Sequence, residues 1–166
     1  MNTSPIRTHI PHWALPVWRA SIFHPGAIPV YEGETSAELK RYFLPLFDTI
    51  LIVMGLMAIQ SGMPSFDIVY NDTISSLAAW VLAASAASAM FGLLFPKFWR
   101  MEAWGKIFMF AILSGYSVAL WGLALQGGSG RGFVAGGITA LTAFVGWNLW
   151  RIGRERRAGT NGKGKK

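Results

Sequence analysis

Four long apolar segments dominate this chain of 166 residues. They cover residues 44–61, 75–95, 104–125 and 133–152. A helix needs about 20 mostly apolar residues to cross a hydrocarbon core about 30 Å thick. Helices also satisfy their own backbone hydrogen bonds, which lipid requires. The sequence therefore predicts an all-α, polytopic integral membrane protein with four transmembrane helices.

The composition excludes several other classes of protein. Hydrophobic residues make up 52% of the chain and charged residues only 14%, whereas soluble domains carry about 25% charged residues. The chain has no cysteine, which excludes disulfides and thiolate metal sites. It also has no P-loop, H-E-x-x-H or G-x-S-x-G motif. We therefore expect neither an enzyme nor a bound cofactor or metal.

The positions of the basic residues predict how the helices are oriented. All but one of the 15 lysines and arginines lie before the first segment, between the second and third or at the edge of the third, or at the end of the fourth and after it. The exception is Arg131, between the third and fourth segments. Cytoplasmic loops carry the excess of lysine and arginine. Both termini are therefore expected in the cytoplasm.

Two polar regions flank the apolar segments. Residues 1–43 contain five prolines among aromatic residues and predict an irregular arm, with a short helix capped by Thr35 and Glu38 before the first span. The aromatic side chains of the arm, which include Trp13, Trp18, Phe23 and Tyr31, fit the membrane surface and the cytoplasmic helix ends equally well. Residues 153–166 predict a basic, flexible tail that binds anionic inner-leaflet lipids rather than nucleic acid.

Aromatic and basic residues alternate between the second and third segments and recur at the end of the fourth. This pattern is typical of side chains that anchor a helix at the membrane surface, with rings turned inward and charges toward phosphates. The expected anchors are Lys97, Trp99, Arg100, Trp104, Lys106, Trp147, Trp150, Arg151, Arg154, Arg156 and Arg157.

Asp48 is the one acid inside a predicted span. An intramembrane carboxylate is a candidate for proton or ion handling. Asp48 lies one turn inside the cytoplasmic end, where the helix N-terminus, Lys40 and Arg41 can stabilise an anion. The sequence favours an anchoring role over an ion site and leaves both open.

Small residues recur at helical spacing in the second and fourth segments. Such rows allow helix backbones to approach closely in lipid. One interpretation is packing within a single four-helix bundle, which the sequence favours; the other is that at least one row mediates self-association. The residues are Ala79, Ala83, Ala87, Ser85 and Ala89 in the second segment and Gly132, Gly136 and Ala140 in the fourth.

Residues 31–157 resemble small four-span membrane proteins of tailed actinobacterial phages, some of which are identified as holins. The stretches that carry the resemblance are YEGETSAELKRYFLPLFD, FPKFWRMEAWGK and RIGRERR. The resemblance implies a multi-pass protein of the bacterial cytoplasmic membrane. It also implies that copies associate and open lesions during host lysis.

Three functional hypotheses follow. The leading one is a holin-like protein that self-associates through its small-residue rows. The second is a non-lytic accessory protein, for phage exclusion or assembly, that binds a protein partner through its N-terminal arm. A small channel or transporter is third, because no charged residue lies deep in a predicted span.

Overall fold

A computed structural model describes residues 15–24, 39–127 and 130–163 of the chain. All regular structure in these residues is helical. Four of the helices are long and apolar enough to cross a membrane, which confirms the expected all-α, four-span architecture. The helices are α1 (Leu15–Ala20), α2 (Leu44–Ser61), α3 (Pro64–Val69), α4 (Asp72–Leu94), α5 (Trp99–Leu125) and α6 (Arg131–Lys163).

Local chemistry explains where several of the helices begin and end. Pro45 occupies the first turn of α2, where its missing N–H needs no partner. Gly62 ends α2 with a φ of 75°, which glycine adopts without a steric cost. The Asn71 side chain accepts a hydrogen bond of 2.9 Å from the Ile74 amide and caps α4. Pro96 follows α4 and begins the 3₁₀ turn Pro96–Phe98 that leads into α5.

Three helices, α4, α5 and α6, extend beyond the predicted bounds, and α4 does so by three residues at its start. A π-turn, Leu39–Phe43, leads directly into α2, and α5 begins at Trp99 rather than at residue 104. Helix α6 continues to Lys163, through most of the tail that the sequence predicts to be flexible. Arginine and glutamate are good helix formers, and Arg151 pairs with Glu155 at 3.1 Å one turn further on.

The four long helices pack in chain order: α2 contacts α4, α4 contacts α5, and α5 contacts α6. We call the end where α2 and α5 begin the terminal end, and the end where α2 and α5 finish the hairpin end. At the hairpin end, the short helix α3 places Phe66 against α4 and α5. All four long helices contribute to one apolar core. Its buried members are Phe47, Leu51, Leu82, Ala86, Ala89, Met109, Leu113, Leu120, Ala135, Ile138 and Val145.

Helix α4 lies very close to both of its neighbours. A Cβ atom added to Gly55 of α2 would lie 2.8 Å from the Ala83 backbone. One added to Gly105 of α5 would lie 2.5 Å from the Ser85 carbonyl oxygen. Such contact between backbones is the usual way that helices pack in lipid. The window of α4 that would cross the membrane is accordingly 50% buried, against 22% for α6.

The outside of the bundle is apolar as well as the inside. Large hydrophobic side chains are exposed on every long helix, as expected where lipid rather than water surrounds the protein. They include Ile50, Val53, Leu56, Leu77, Trp80, Phe108, Val118 and Phe133.

Part of the N-terminal arm is attached to the terminal end of the bundle. Ile22 is only 2% exposed and packs against Leu44 and Leu93. Its amide donates a hydrogen bond of 2.9 Å to the Leu94 carbonyl at the end of α4. Trp18 and Phe23 are both exposed on the same segment. The other aromatic and capping residues singled out in the arm, Trp13, Tyr31, Thr35 and Glu38, lie outside the described residues.

Candidate functional site

The terminal end of the bundle contains a network of ionisable side chains from α2, α5 and α6. At its centre, Lys106 Nζ donates a hydrogen bond to Asp48 Oδ1, and both side chains are fully buried. The ammonium group also lies 5.6 Å from the centre of the Phe47 ring, within cation–π range. Two opposite charges attract strongly in such an environment, and this attraction offsets the cost of removing them from water.

Arg151 is the centre of the outer part of the network. Its guanidinium lies 3.6 Å from Glu102 Oε1 and 3.1 Å from Glu155 Oε1. Arg151 Nε donates a hydrogen bond of 3.2 Å to Asn148 Oδ1. Lys40 Nζ lies 3.0 Å from Glu155 Oε2. Burial therefore increases from the partly exposed Glu155 inward to Asp48.

Helical spacing brings these side chains together. Glu102 and Lys106 are four residues apart and share one face of α5. Asn148, Arg151 and Glu155 recur at intervals of three and four residues on α6. Among the described residues, the network contains three acids and three bases, so the formal charges of these six side chains balance.

Among the side chains of the network, three polar atoms are buried without a hydrogen bond to any described residue. They are Asp48 Oδ2, Glu102 Oε1 and Asn148 Nδ2. The first two accept hydrogen bonds and the third donates them. Buried polar atoms are nearly always paired with protein or with ordered water, so these three atoms are the places in the network where ordered water is expected.

Among the described residues, no group of three or more histidine, aspartate or glutamate side chains is placed to hold a metal ion. The described side chains of the network can hold protons and can donate or accept hydrogen bonds.

The structure places Lys106 differently from the sequence analysis. Lys106 was expected to anchor α5 at the membrane surface, but its side chain is 1% exposed and pairs with Asp48 inside the bundle. The expected partners of Asp48, Lys40 and Arg41, do not bond to it; Lys40 pairs with Glu155 instead. Lys106 is buried because α5 begins five residues earlier than predicted, which places Lys106 two turns inside the helix.

Sequence reasoning did not find Glu102, Asn148 and Glu155 as members of a site. A usable signal was present. Asp48 and Lys106 carry opposite charges near the same predicted end of different spans, and Glu102 lies one turn from Lys106.

Most of the other expected anchors lie at the outer surface of the terminal end. Trp104 and Trp150 are each 60% exposed. The guanidinium of Arg100 lies 5.8 Å from the Trp99 ring, and that of Arg154 lies 5.5 Å from the Trp150 ring. Arg151 is mostly buried in the network. Lys97, Trp147 and Arg157 are exposed, Trp99 is half-buried, and the Arg156 side chain is outside the described part of the structure.

The two small-residue rows have different environments. In α4, Ala79, Ala83, Ser85 and Ala89 are buried between helices, whereas Ala87 is exposed. In α6, Gly136 and Ala140 are exposed, and a Cβ atom added to Gly132 or Gly136 would meet nothing within 4 Å. Most of the α4 row therefore packs inside the bundle, and the α6 row faces outward.

A smaller polar cluster joins α5 to α6 further along the bundle. Thr139 Oγ1 donates to the Ala135 carbonyl at 2.7 Å and accepts hydrogen bonds from Ser117 and Trp121 at 2.7 and 3.0 Å. Because every hydroxyl here has a partner, this cluster is fully accounted for by helix packing.

No protein-family model matches the chain, and no curated protein or solved structure is significantly similar to it.

Proposed function

We propose that this chain is a holin-like protein that associates with copies of itself in a bacterial cytoplasmic membrane and permeabilises it during host lysis. The outward-facing row Gly132, Gly136 and Ala140 on α6 is the observation that carries the proposal. Permeabilisation by lateral association requires a surface on which a second helix can pack closely. Among helices in lipid, small residues provide such a surface.

The environment of this row supports the proposal. Three glycines of the other long helices, Gly55, Gly92 and Gly105, are already in contact with a neighbouring helix of the same chain. Space around Gly132 and Gly136 is open, and α6 has the least buried spanning window of the four helices. On α5, Gly115 and Gly122 are similarly open. Among the described spans, the glycines with open space around them are therefore on α5 and α6.

The surface at the terminal end fits an anionic leaflet. The exposed bases Lys97, Arg100, Arg154 and Arg157 lie there beside exposed tryptophans. Each base near an anionic membrane contributes about 1 kcal/mol of attraction. This attraction would favour the orientation in which the terminal end and both termini face the cytoplasm.

Site-directed disulfide crosslinking tests the association surface. The natural chain has no cysteine, so Ala140→Cys would introduce the only thiol. We expect oxidation in membranes to give dimers with Ala140→Cys, and few with Leu77→Cys, which lies on an exposed face of α4. Equal dimer yields from the two variants would contradict an interface at α6.

Inducible expression in a bacterial host tests the activity. We expect an abrupt loss of membrane potential, measured with a potential-sensitive dye, after a lag in which the protein accumulates. Gly136→Leu should delay or abolish this loss. Gly137→Leu is the matched control, because the next residue is also exposed and open but points about 100° around the helix. Normal growth and potential at high expression of the natural chain would refute a lytic function.

A channel or transporter is the second candidate, because the buried Asp48–Lys106 pair is an ionisable site inside the bundle. Ion flux without time-dependent loss of viability would favour it.

The accessory-protein hypothesis requires the arm to bind a partner. Deletion of residues 1–14 separates this hypothesis from the holin and channel hypotheses, since only an accessory protein should then lose its function.

A further inference from the structure

The ionic network is arranged as a series of layers that leads from the terminal end into the bundle. Lys40 and Glu155 form the outer layer, with side chains 12% and 32% exposed. Arg151 and Glu102 follow, at 12% and 11%. The innermost layer is the Asp48–Lys106 pair, which is fully buried. The exposure of the charged side chains therefore falls in steps from the surface to the centre of the site.

An apolar layer closes the inner end of this series. Leu51, Met109 and Val145 lie three residues beyond Asp48, Lys106 and Asn148 on their respective helices, in the direction of the hairpin end. All three apolar side chains are 0% exposed and belong to the main core. The polar series consequently opens toward one end of the bundle only.

The buried polar atoms that lack a hydrogen bond indicate what the network binds, although Glu102 Oε1 also faces the Arg151 guanidinium at 3.6 Å. Asp48 and Asn148 are 0% exposed and Glu102 is 9% exposed, and each has one buried polar atom without a hydrogen bond to a described residue. Two of these atoms are acceptors and one is a donor. A metal ion would satisfy only the acceptors and an anion only the donor, and the balanced charges of the network favour neither. Water satisfies both, and buried water typically bonds to groups of this kind.

We propose that the network holds water that is continuous with the solution at the terminal end, and that it forms an inlet through which protons reach Asp48 and Lys106. The inlet ends at the layer formed by Leu51, Met109 and Val145. The proposal does not depend on self-association, because every residue of the inlet belongs to a single chain.

Cysteine accessibility tests the inlet in the full-length protein. Asn148→Cys and Val145→Cys are a matched pair, since both positions are 0% exposed and lie one turn apart on α6. We expect a charged methanethiosulfonate reagent, added to both sides of proteoliposomes, to modify Asn148→Cys at least ten times faster than Val145→Cys. Equal rates would overturn the proposal. The nearby Ile152→Cys, one turn closer to the terminal end, should react at least as fast as Asn148→Cys.

A measurement on the natural chain covers the case in which Asn148→Cys does not fold. Solid-state NMR of the protein in lipid bilayers can follow magnetisation transfer from water to individual side chains. We expect transfer to the Asn148 side-chain amide and the Lys106 ammonium to build up several times faster than transfer to the Val145 methyl groups. A dry, purely structural ion-pair network would show the same slow build-up at all three, and that result would overturn the inlet whether or not the protein self-associates.

Discussion

A single lysine, Lys106, changes the interpretation of the terminal end of this protein. As a surface anchor it would serve only to hold α5 at the membrane boundary. Paired with Asp48 inside the bundle, it ties α5 to α2 and gives the apolar core a charged neighbour. A buried pair of this kind contributes little net stability, because desolvation offsets the attraction. Replacement of only one member of the pair lowers the stability of the protein, since the remaining buried charge then has no partner.

Replacement of one or both members of the pair tests this coupling. We expect Lys106→Met or Asp48→Leu alone to lower the free energy of unfolding by about 3 kcal/mol. The double variant should be more stable than either single variant, because no unpaired charge remains. Unfolding by denaturing detergent in mixed micelles measures the three values. If the two single effects simply add in the double variant, the side chains do not act as a pair.

The sequence identified Asp48 as an intramembrane acid but did not identify its partner. Pairing of Asp48 with Lys106 depends on how α2 and α5 are rotated about their axes. Both helices are apolar on all sides, so periodicity in the sequence does not fix those rotations. The burial of Asn148 could not be predicted for the same reason.

At the scale of the helices, length and apolar composition were sufficient to predict the architecture. The predicted first span, 44–61, coincides with α2, and the second, 75–95, differs from α4 by three residues at its start. The start of α5 was misplaced because the sequence 96–103 looks like a charged, aromatic loop. Only Pro96 in it opposes a helix, and α5 begins three residues later.

The small-residue row of α4 contains both a buried and an exposed alanine, and the two positions give a prediction about helix packing. Ala83 is buried against Gly55, whereas Ala87, one turn along the same helix, is exposed. We expect Ala83→Leu to lower the free energy of unfolding by about 1–3 kcal/mol, because the larger side chain forces α2 and α4 apart. Ala87→Leu should change it by less than about 0.5 kcal/mol.

Thermal or detergent-induced unfolding, followed by circular dichroism, measures both variants. A loss of stability in Ala87→Leu as large as that in Ala83→Leu would mean that the exposed face of α4 also packs against protein in the membrane. Crosslinking would then have to be repeated from positions on that face.

At the scale of the whole molecule, the described part of the arm that contains Ile22 packs against the helix bundle. Ile22 fills a site between Leu44 and Leu93, so its truncation leaves a gap at the terminal end. We expect Ile22→Ala to cost about 2 kcal/mol of stability and to speed proteolytic cleavage of the arm. Phe23→Ala is the control, because Phe23 is exposed. Equal cleavage rates in the two variants would show that Ile22 does not hold the arm in place.

The orientation of the bundle in the membrane is a separate prediction from the distribution of basic residues. With both termini in the cytoplasm, Gln126 faces outward and Lys97 faces inward. We expect an impermeant maleimide to label Gln126→Cys in intact spheroplasts and to label Lys97→Cys only after they are permeabilised. Both positions are exposed, so the two thiols differ in sidedness rather than in burial. The reverse labelling pattern would show that the bundle has the opposite orientation in the membrane.

The unequal packing of the four long helices divides the molecule into two parts. Backbone contact at Gly55, Gly92 and Gly105 holds α2, α4 and α5 together as a tight trio. Helix α6 is joined to this trio mainly through α5, after a turn in which Gly127 and Gly130 have positive φ. A chain cut in that turn should reassemble when its two pieces are made together. By the same reasoning, we expect that two neighbouring molecules can exchange α6 while α2, α4 and α5 of each molecule stay folded together.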